Sequence, residues 1–330
     1  MDVAPARIGR RLRVVAFAGA SNWPLWAGVE QGLFRERGLS LELGIVPNSR
    51  LMARKLHDGE IDIALTAIDN VVAYVARQGE EDLPHAADFF AFMGVDDGLL
   101  SLTVRPDIDD IAGLRGANLG VDALTTGFAF VLRELVGCAG IGAEVNFVSV
   151  GNGAERLRGL VEGAQQGTLL NTPLDLIAEE AGMKRLVRAS TQLGAYQGIV
   201  GAARRSFAKR NGEAMRDFIA GFHASLAWLA EEANAPAAIA CLRAHMPGIS
   251  AAVAAKAYCQ LLGGPSGFTR DLAINRVGVA TVLALRSRHR GLALSLADAD
   301  LYIDDSFRAA ALASAPRRGR TEQRSSALSK

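Results

Sequence analysis

Leu56-His57-Asp58-Gly59-Glu60-Ile61-Asp62-Ile63-Ala64-Leu65-Thr66-Ala67-Ile68-Asp69-Asn70 carries the local logic of most of the chain. A helix over 50–58 stops at Gly59, a residue suited to a helix C-terminus. An apolar run from Ile61 to Ile68 follows and predicts a strand. Asp69-Asn70 then opens a second helix through about Arg77. The unit is helix, glycine stop, strand, polar exit, helix. Repeated, that order builds sheets rich in parallel strands with helical crossovers.

The same order extends upstream. Arg13 to Phe17 reads as a strand, ended by Ala18-Gly19-Ala20-Ser21-Asn22. Pro24 suits a first helical turn. Leu25, Trp26, Val29 and Phe34 recur at helical spacing, and Gly38 ends that helix. Leu39 to Val46 alternates as a second strand, and Asn48-Ser49 can cap the helix that leads into Leu56. Downstream, Phe89 to Val95 and Leu99 to Val104 are further strands around the turn Asp96-Asp97-Gly98. A polar connection over 106–116 then opens a second β-α-β run. Its strands are Ala117–Val121, Val145–Val150 and Thr168–Leu170, with Lys184–Ala189 and Gly198–Ala203 after them. Helices over 126–136, 154–162 and beyond Asn171-Thr172-Pro173 separate them. From Lys209 the pattern is helical only, over 212–232, 235–246, 250–262 and 270–287.

This organisation predicts an α/β protein of two lobes, with flanking helices and a hinge of two chain crossings, near 99–106 and 198–205. Residues 11–100 and 205–312 form the discontinuous lobe 1, residues 101–204 form lobe 2, and 313–330 form a disordered tail. A length of 330 residues suits two cores of ordinary size, and 50% hydrophobic residues supply them.

Bulk composition narrows the partners. Charged residues make up 22% and the net charge is +1, so nothing global points to nucleic acid or an anionic membrane. Short basic runs such as Arg10-Arg11-Leu12-Arg13 read as solvated surface. No apolar stretch reaches the ~20 residues of a membrane span, and stable membrane insertion is not expected. No signal peptide is visible, which places the protein in the cytoplasm, or in the periplasm if an export segment precedes this version. Cys138, Cys241 and Cys259 read as buried free thiols. No CxxC or Cys/His ligand cluster stands out, so no metal and no cofactor is expected. A monomer is expected.

Three segments, in this order and spacing, resemble a known group: Asn22-Trp23-Pro24-Leu25-Trp26-Ala27-Gly28 with Glu30-Gln31-Gly32-Leu33-Phe34; Leu56 to Ala64; and Asp110-Ile111-Ala112-Gly113-Leu114-Arg115-Gly116-Ala117-Asn118-Leu119-Gly120-Val121. The chain is similar there to substrate-binding proteins of ABC importers in the sulfonate, taurine and nitrate branch, the NMT1/THI5-like group. The resemblance covers residues 12 to 205 well and the helical remainder loosely. It implies a type II periplasmic-binding-protein-like fold, a small-molecule ligand held between the lobes, and an ABC permease as partner.

Ligands of open parallel sheets bind outside the carboxyl ends of the strands. That rule selects Ser21, Asn22 and Trp23, then Thr66, Asp69 and Asn70, then Asp97 in lobe 1. In lobe 2 it selects Asp122, Thr125, Thr126 and Gly127, then Asn152, then Asn171 and Thr172. Thr125-Thr126-Gly127 stands at a helix start, where free N–H groups favour an anion or polar oxygen, and the resemblance implies a ligand acid group there. A plain N-cap is equally consistent. Pro173 suits a first helical position, which makes Thr172 the cap and points Asn171 to the cleft. Asp69, Asp97 and Asp122 fall in these loops and no arginine does. The ligand is therefore either neutral or amine-bearing and held by aspartates, or a small anion held by helix ends.

The alternative is a cytosolic enzyme of the same fold, pyrimidine-synthase-, decarboxylase- or desulfinase-like, acting on a small organic acid or heterocycle. The resemblance implies a cleft cysteine or a cysteine-rich segment for such chemistry, and no cysteine falls in an exit loop. His57, His85, His223, His245 and His289 lack a paired motif, and no catalytic residue is assigned.

Overall fold

The computed structural model describes residues 9–264, 267–291 and 296–313. The tail expected over 313–330 lies outside them except for Ala313. The repeated strand–helix unit builds two five-stranded sheets. The first begins with β1 (Arg10–Ala16), β2 (Leu39–Ile45), β3 (Ile63–Ala67) and β4 (Phe89–Gly94). The chain then crosses over and lays down β5 (Leu100–Val104), β6 (Asn118–Val121), β7 (Asn146–Ser149), β8 (Gly167–Asn171) and β9 (Lys184–Arg188). It crosses back to add β10 (Ile199–Arg204) to the first sheet.

The sheets have matching order, β2-β1-β3-β10-β4 and β7-β6-β8-β5-β9. In each, one strand runs against its neighbours: β10 is antiparallel to β3 and β4, and β5 to β8 and β9. The cause is the path of the chain. Strands reached through outer helices run toward the other sheet and end there. A strand entered directly from the other sheet starts at that edge and runs away from it. The carboxyl ends of four strands and the amino end of the fifth therefore face the opposite sheet.

The crossings lie at 95–99 and 189–198, ahead of where the sequence predicts them. Leu100–Val104 is already in the second sheet, and Ile199–Arg204 already in the first. The apolar run of β10 identifies a strand but not the sheet that it joins. Asp96 and Gln197 stitch the two crossings together. The Asp96 Oδ1 accepts from the backbone N–H groups of Gly98 and Ile199, both at 3.0 Å. The Gln197 Nε2 donates to Asp96 O at 3.0 Å.

Helices α1 (Trp23–Glu30), α2 (Ser49–Asp58) and α3 (Ile68–Val75) flank the first sheet. Asn48 caps α2, accepting from Leu51 N at 3.0 Å, and Gly59 ends it at φ 77°. The second sheet carries α4 (Gly127–Cys138), α5 (Gly153–Val161), α6 (Leu174–Glu180) and α7 (Ala189–Leu193). The chain ends in α8 (Arg205–Arg210), α9 (Gly212–Ala230), α10 (Ala235–His245), α11 (Ala251–Tyr258), α12 (Arg276–Arg290) and α13 (Ser306–Ala313). Most of these pack on lobe 1. Helix α9 lies close to α1 because Gly28 and Gly221 leave room for the Phe34 ring between them; a Cβ at either glycine would sit 2.5 Å from that ring. Helices α11 and α12 are different: α12 packs on α3 of one lobe and α4 of the other, and α11 packs beside α10 and on α6 of the second sheet.

Candidate functional site

The strand ends meet across a gap that is nearly closed. Gly127 opens α4, and a Cβ built there would lie 2.6 Å from the Cβ of Asp69 in the other lobe. Two small cavities flank this point. One encloses about 260 Å³ of empty space, partly open to solvent, and is lined by Phe17, Gly19, Ser21, Asn22 and Ile199 of lobe 1 and Asn171 of lobe 2, among others. The other, also partly open to solvent, spans about 190 Å³ of empty space including open solvent and is lined by Asp69, Asn70, Gln78, Arg286, Thr125 and Thr126, among others.

The first cavity has no charged lining residue and holds unspent hydrogen-bonding capacity. Asn22 is 1% exposed. Its Nδ2 donates to Phe17 O at 2.7 Å, which fixes the amide orientation. Its Oδ1 is then left buried without a partner in the protein. The Ser21 Oγ donates to Asp96 Oδ2 at 2.9 Å, leaving its lone pairs to accept. Asn171, half-buried at the end of β8, brings its Nδ2 within 3.5 Å of a Cβ built at Gly19. Thr172 beside it is 1% exposed, and its Oγ1 also lacks a partner.

The second cavity has its central charge paired, while the Tyr74 hydroxyl and the Glu80 Oε1 of its lining are buried without a partner. Arg286 of α12 enters it, with Nε 2.8 Å from Asp69 Oδ1, Nη2 2.6 Å from Asp69 Oδ2, and Nη1 3.1 Å from Gln78 Oε1. Both charges are buried, and the guanidinium also lies 5.2 Å from the centre of the Phe130 ring of α4. Thr66 Oγ1 accepts from Asn70 Nδ2 at 2.9 Å. Thr126 caps α4, accepting from Ala129 N at 3.3 Å and donating to Asp122 Oδ1 at 2.6 Å. Burial pushes the Asp122 carboxyl above its ordinary range, opposed by Arg156 and by the Thr126 hydroxyl. Thr125 lines the cavity while Thr126 holds the helix start.

The residues selected by the strand-end rule therefore separate. Ser21, Asn22 and Asn171 gather at one cavity, with Thr172 adjacent in sequence. Asp69, Asn70, Thr125 and Thr126 gather at the other. Asp97 lies in the first crossing. Trp23 is not in the cleft: it is fully buried in lobe 1, its indole N–H donating to Ala238 O at 3.0 Å and its ring edge-on to Tyr258. The first residue of α1 turns its side chain into the C-terminal helices, which local sequence could not place. Asn152 is an exposed N-cap of α5, in a reciprocal capping box with Glu155. Thr172 caps nothing, because α6 begins at Leu174 without a side-chain cap.

Two participants, Gln197 and Arg286, went unread. Asp96 lies in the strand exit Asp96-Asp97 that the sequence points to, but it binds the two crossings together with Gln197. Arg286 overturns the expectation that no arginine reaches the site; it arrives from a helix more than 200 residues from Asp69, with no local signal. The cysteines also differ from expectation. Cys241 is buried, but Cys138 and Cys259 are exposed.

A family model described as "NMT1/THI5 like" matches residues 21–235. Solved structures share the fold. The periplasmic nitrate-binding protein NrtA from Synechocystis PCC 6803 superposes with a TM-score of 0.76 at 11% identity, over 92% of this chain and 89% of that one. The ligand-binding component of an ABC-type import system from Staphylococcus aureus gives 0.73 at 15% identity, over 92% and 99%. The periplasmic aliphatic sulphonate binding protein SsuA from Escherichia coli gives 0.64 at 19% identity, over 86% and 91%. The architecture is thus the two-lobed periplasmic-binding-protein fold. No protein of curated function matches the sequence. Among the described residues no helix is long and apolar enough to cross a membrane.

Proposed function

This chain belongs to the NMT1/THI5-like family, and from that premise we propose that it binds one small, uncharged polar solute between its two sheets. We further propose that it delivers the solute to the permease of an ABC importer, which would place it in the periplasm. The observation that carries the reading is the cavity at Asn22 and Asn171. Its lining has no charge, and the Asn22 Oδ1 is buried and unpartnered there. A buried acceptor left unmatched costs about 1–3 kcal/mol, so a ligand N–H or O–H placed on it gains more than the same bond in water.

Both of the charge options open at the level of sequence weaken against this geometry. Asp69 is committed to Arg286, and Asp122 accepts from Thr126, so these two aspartates do not offer themselves to an amine. The start of α4 is already filled by Thr126 and faces Asp69, which disfavours an anion. Ser21, Asn22 and Asn171 together accept and donate, the pattern of an amide or a pyrimidine edge. Neither cavity is lined by a cysteine or histidine, which supports binding over catalysis.

A thermal-shift screen tests this. Uncharged amides and pyrimidines are expected to raise Tm, by linkage worth about 2.7 kcal/mol at a hundred times Kd. A shift given by sulfonates, nitrate or amines alone would contradict the proposed ligand class, and a screen without any shift would contradict solute binding.

A further inference from the structure

Away from the cleft, α1 ends in Glu30 and packs beside α10, where Cys241 and His245 stand one helical turn apart on the same face. One ligand atom from each of the three residues lies within 4.8 Å of the others, and this is the one such group of three among the described residues. The His245 Nε2 is 2.8 Å from Glu30 Oε1. We propose that Glu30, Cys241 and His245 form a binding site for one divalent transition metal of zinc-like chemistry, with a fourth position open to water.

The donor set is what such an ion takes: a thiolate, an imidazole and a carboxylate. A tetrahedral ion with bonds of about 2.0–2.3 Å needs its ligand atoms roughly 3.3–3.6 Å apart. The His245–Glu30 pair at 2.8 Å would open, and atoms near the 4.8 Å bound would close, by side-chain adjustments on the order of 1 Å. The platform is fixed. Trp26 of α1 stacks on the His245 ring at 4.7 Å between centres and 6° between planes. Trp23 of the same helix donates to Ala238 O, one turn before Cys241. Access is also suitable: Cys241 is buried, whereas the side chains of Glu30 and His245 are 43% and 37% exposed and open the site to solvent.

Burial and the neighbouring Glu30 carboxylate push the Cys241 thiol up to about 12. The thiol therefore keeps its proton in the metal-free protein. Binding forms the sulfur–metal bond, breaks the S–H bond and releases that proton to water, with no change in oxidation state. The bound ion would tie α1, which directly follows the cleft loop Gly19–Asn22, to the C-terminal helices of lobe 1.

Cobalt(II) is the probe, titrated anaerobically into the full-length, chelator-stripped protein. The expected result is one equivalent bound, a thiolate-to-cobalt charge-transfer band in the near ultraviolet, and loss of the band on adding Zn²⁺. C241S is expected to abolish the band while C138S/C259S retains it. H245A and E30Q alter exposed side chains and are expected to weaken binding by at least the roughly 10–100-fold attached to the outer-sphere partners of a metal site. Absence of the band at excess Co²⁺ would overturn the site. So would its persistence in C241S, or wild-type affinity in both H245A and E30Q.

Discussion

The two ends of the cleft are built from the same kind of material and finished in opposite ways. At the Asp69 end the central charges are paired: a buried arginine binds Asp69 from a helix that also touches lobe 2, and a threonine closes the start of α4, although the Tyr74 hydroxyl and the Glu80 Oε1 of the same lining have no partner. At the Asn22 end, the lining residues are polar but uncharged, and a buried acceptor is left over. Polar residues at strand ends are thus not equivalent as site candidates. Those paired at the Asp69 end are committed within their own lobes, Asp69 with Arg286 and Asp122 with Thr126, and those with capacity left over at the uncharged end are where the proposed solute would be recognised.

The charged end is the place to look for large effects on stability. Arg286→Met leaves the Asp69 carboxylate buried without its partner, and a loss of about 3–5 kcal/mol in urea denaturation is expected. Combining it with Asp69→Leu should recover most of that loss, because no orphaned charge remains. If the single variant is as stable as the parent, the pair does not hold α12 to α3.

Gly127→Ala acts on the contact itself. Its Cβ would meet an Asp69 side chain held in place by Arg286. Overpacking of about 1–3 kcal/mol is expected, together with a larger radius of gyration by small-angle scattering as the lobes part. An unchanged radius would mean that the strand ends do not set the closure.

Thr126→Ala and Asn152→Ala each remove an N-cap and should cost about 1 kcal/mol. Asn152→Ala is expected to leave solute affinity as it was, since that residue is exposed on α5. Thr125→Ala should stay within about 0.5 kcal/mol of the parent. Equal losses for Thr125 and Thr126 in chemical denaturation would erase the distinction drawn between them.

The smallest effect concerns pH. His289 of α12 stacks on Phe130 of α4 at 5.2 Å, and burial holds its pKa below the ordinary 6.5, opposed by Glu134. A folded-state pKa below the unfolded one gives stability that is complete above the unfolded value and is lost as pH falls through the folded one. Stability should therefore decline on acidification below about pH 6.5, and His289→Gln should remove that part of the decline. A pH dependence identical in the variant would locate it elsewhere.

Sequence reading reached the architecture because the fold repeats a local rule. Gly59 stops α2, Asn48 caps it, and the apolar runs became strands within a residue or two of their expected limits, except that β1 starts three residues early at Arg10, inside a basic run expected on the surface. The second crossing was misplaced because Ile199–Arg204 reads as a strand in either sheet, and only the reversal of direction on return decides between them. Trp23 was assigned to the cleft because it sits beside Asn22. Its side chain is instead fixed by Ala238, a partner 215 residues away. Arg286 was invisible for the same reason, because its role exists only once a C-terminal helix lies across both lobes. Local chemistry is legible in the order of residues; pairings between distant residues are not.

The most direct measurement is the thermal shift given by the uncharged solutes that protect the parent protein, repeated on an Asn22→Ala/Asn171→Ala double variant. The expectation is that the double variant folds and unfolds cooperatively, with most of the solute-induced shift gone. A full shift retained in that variant would show that the solute is held elsewhere, and that the unpartnered amide between the two sheets is not its site.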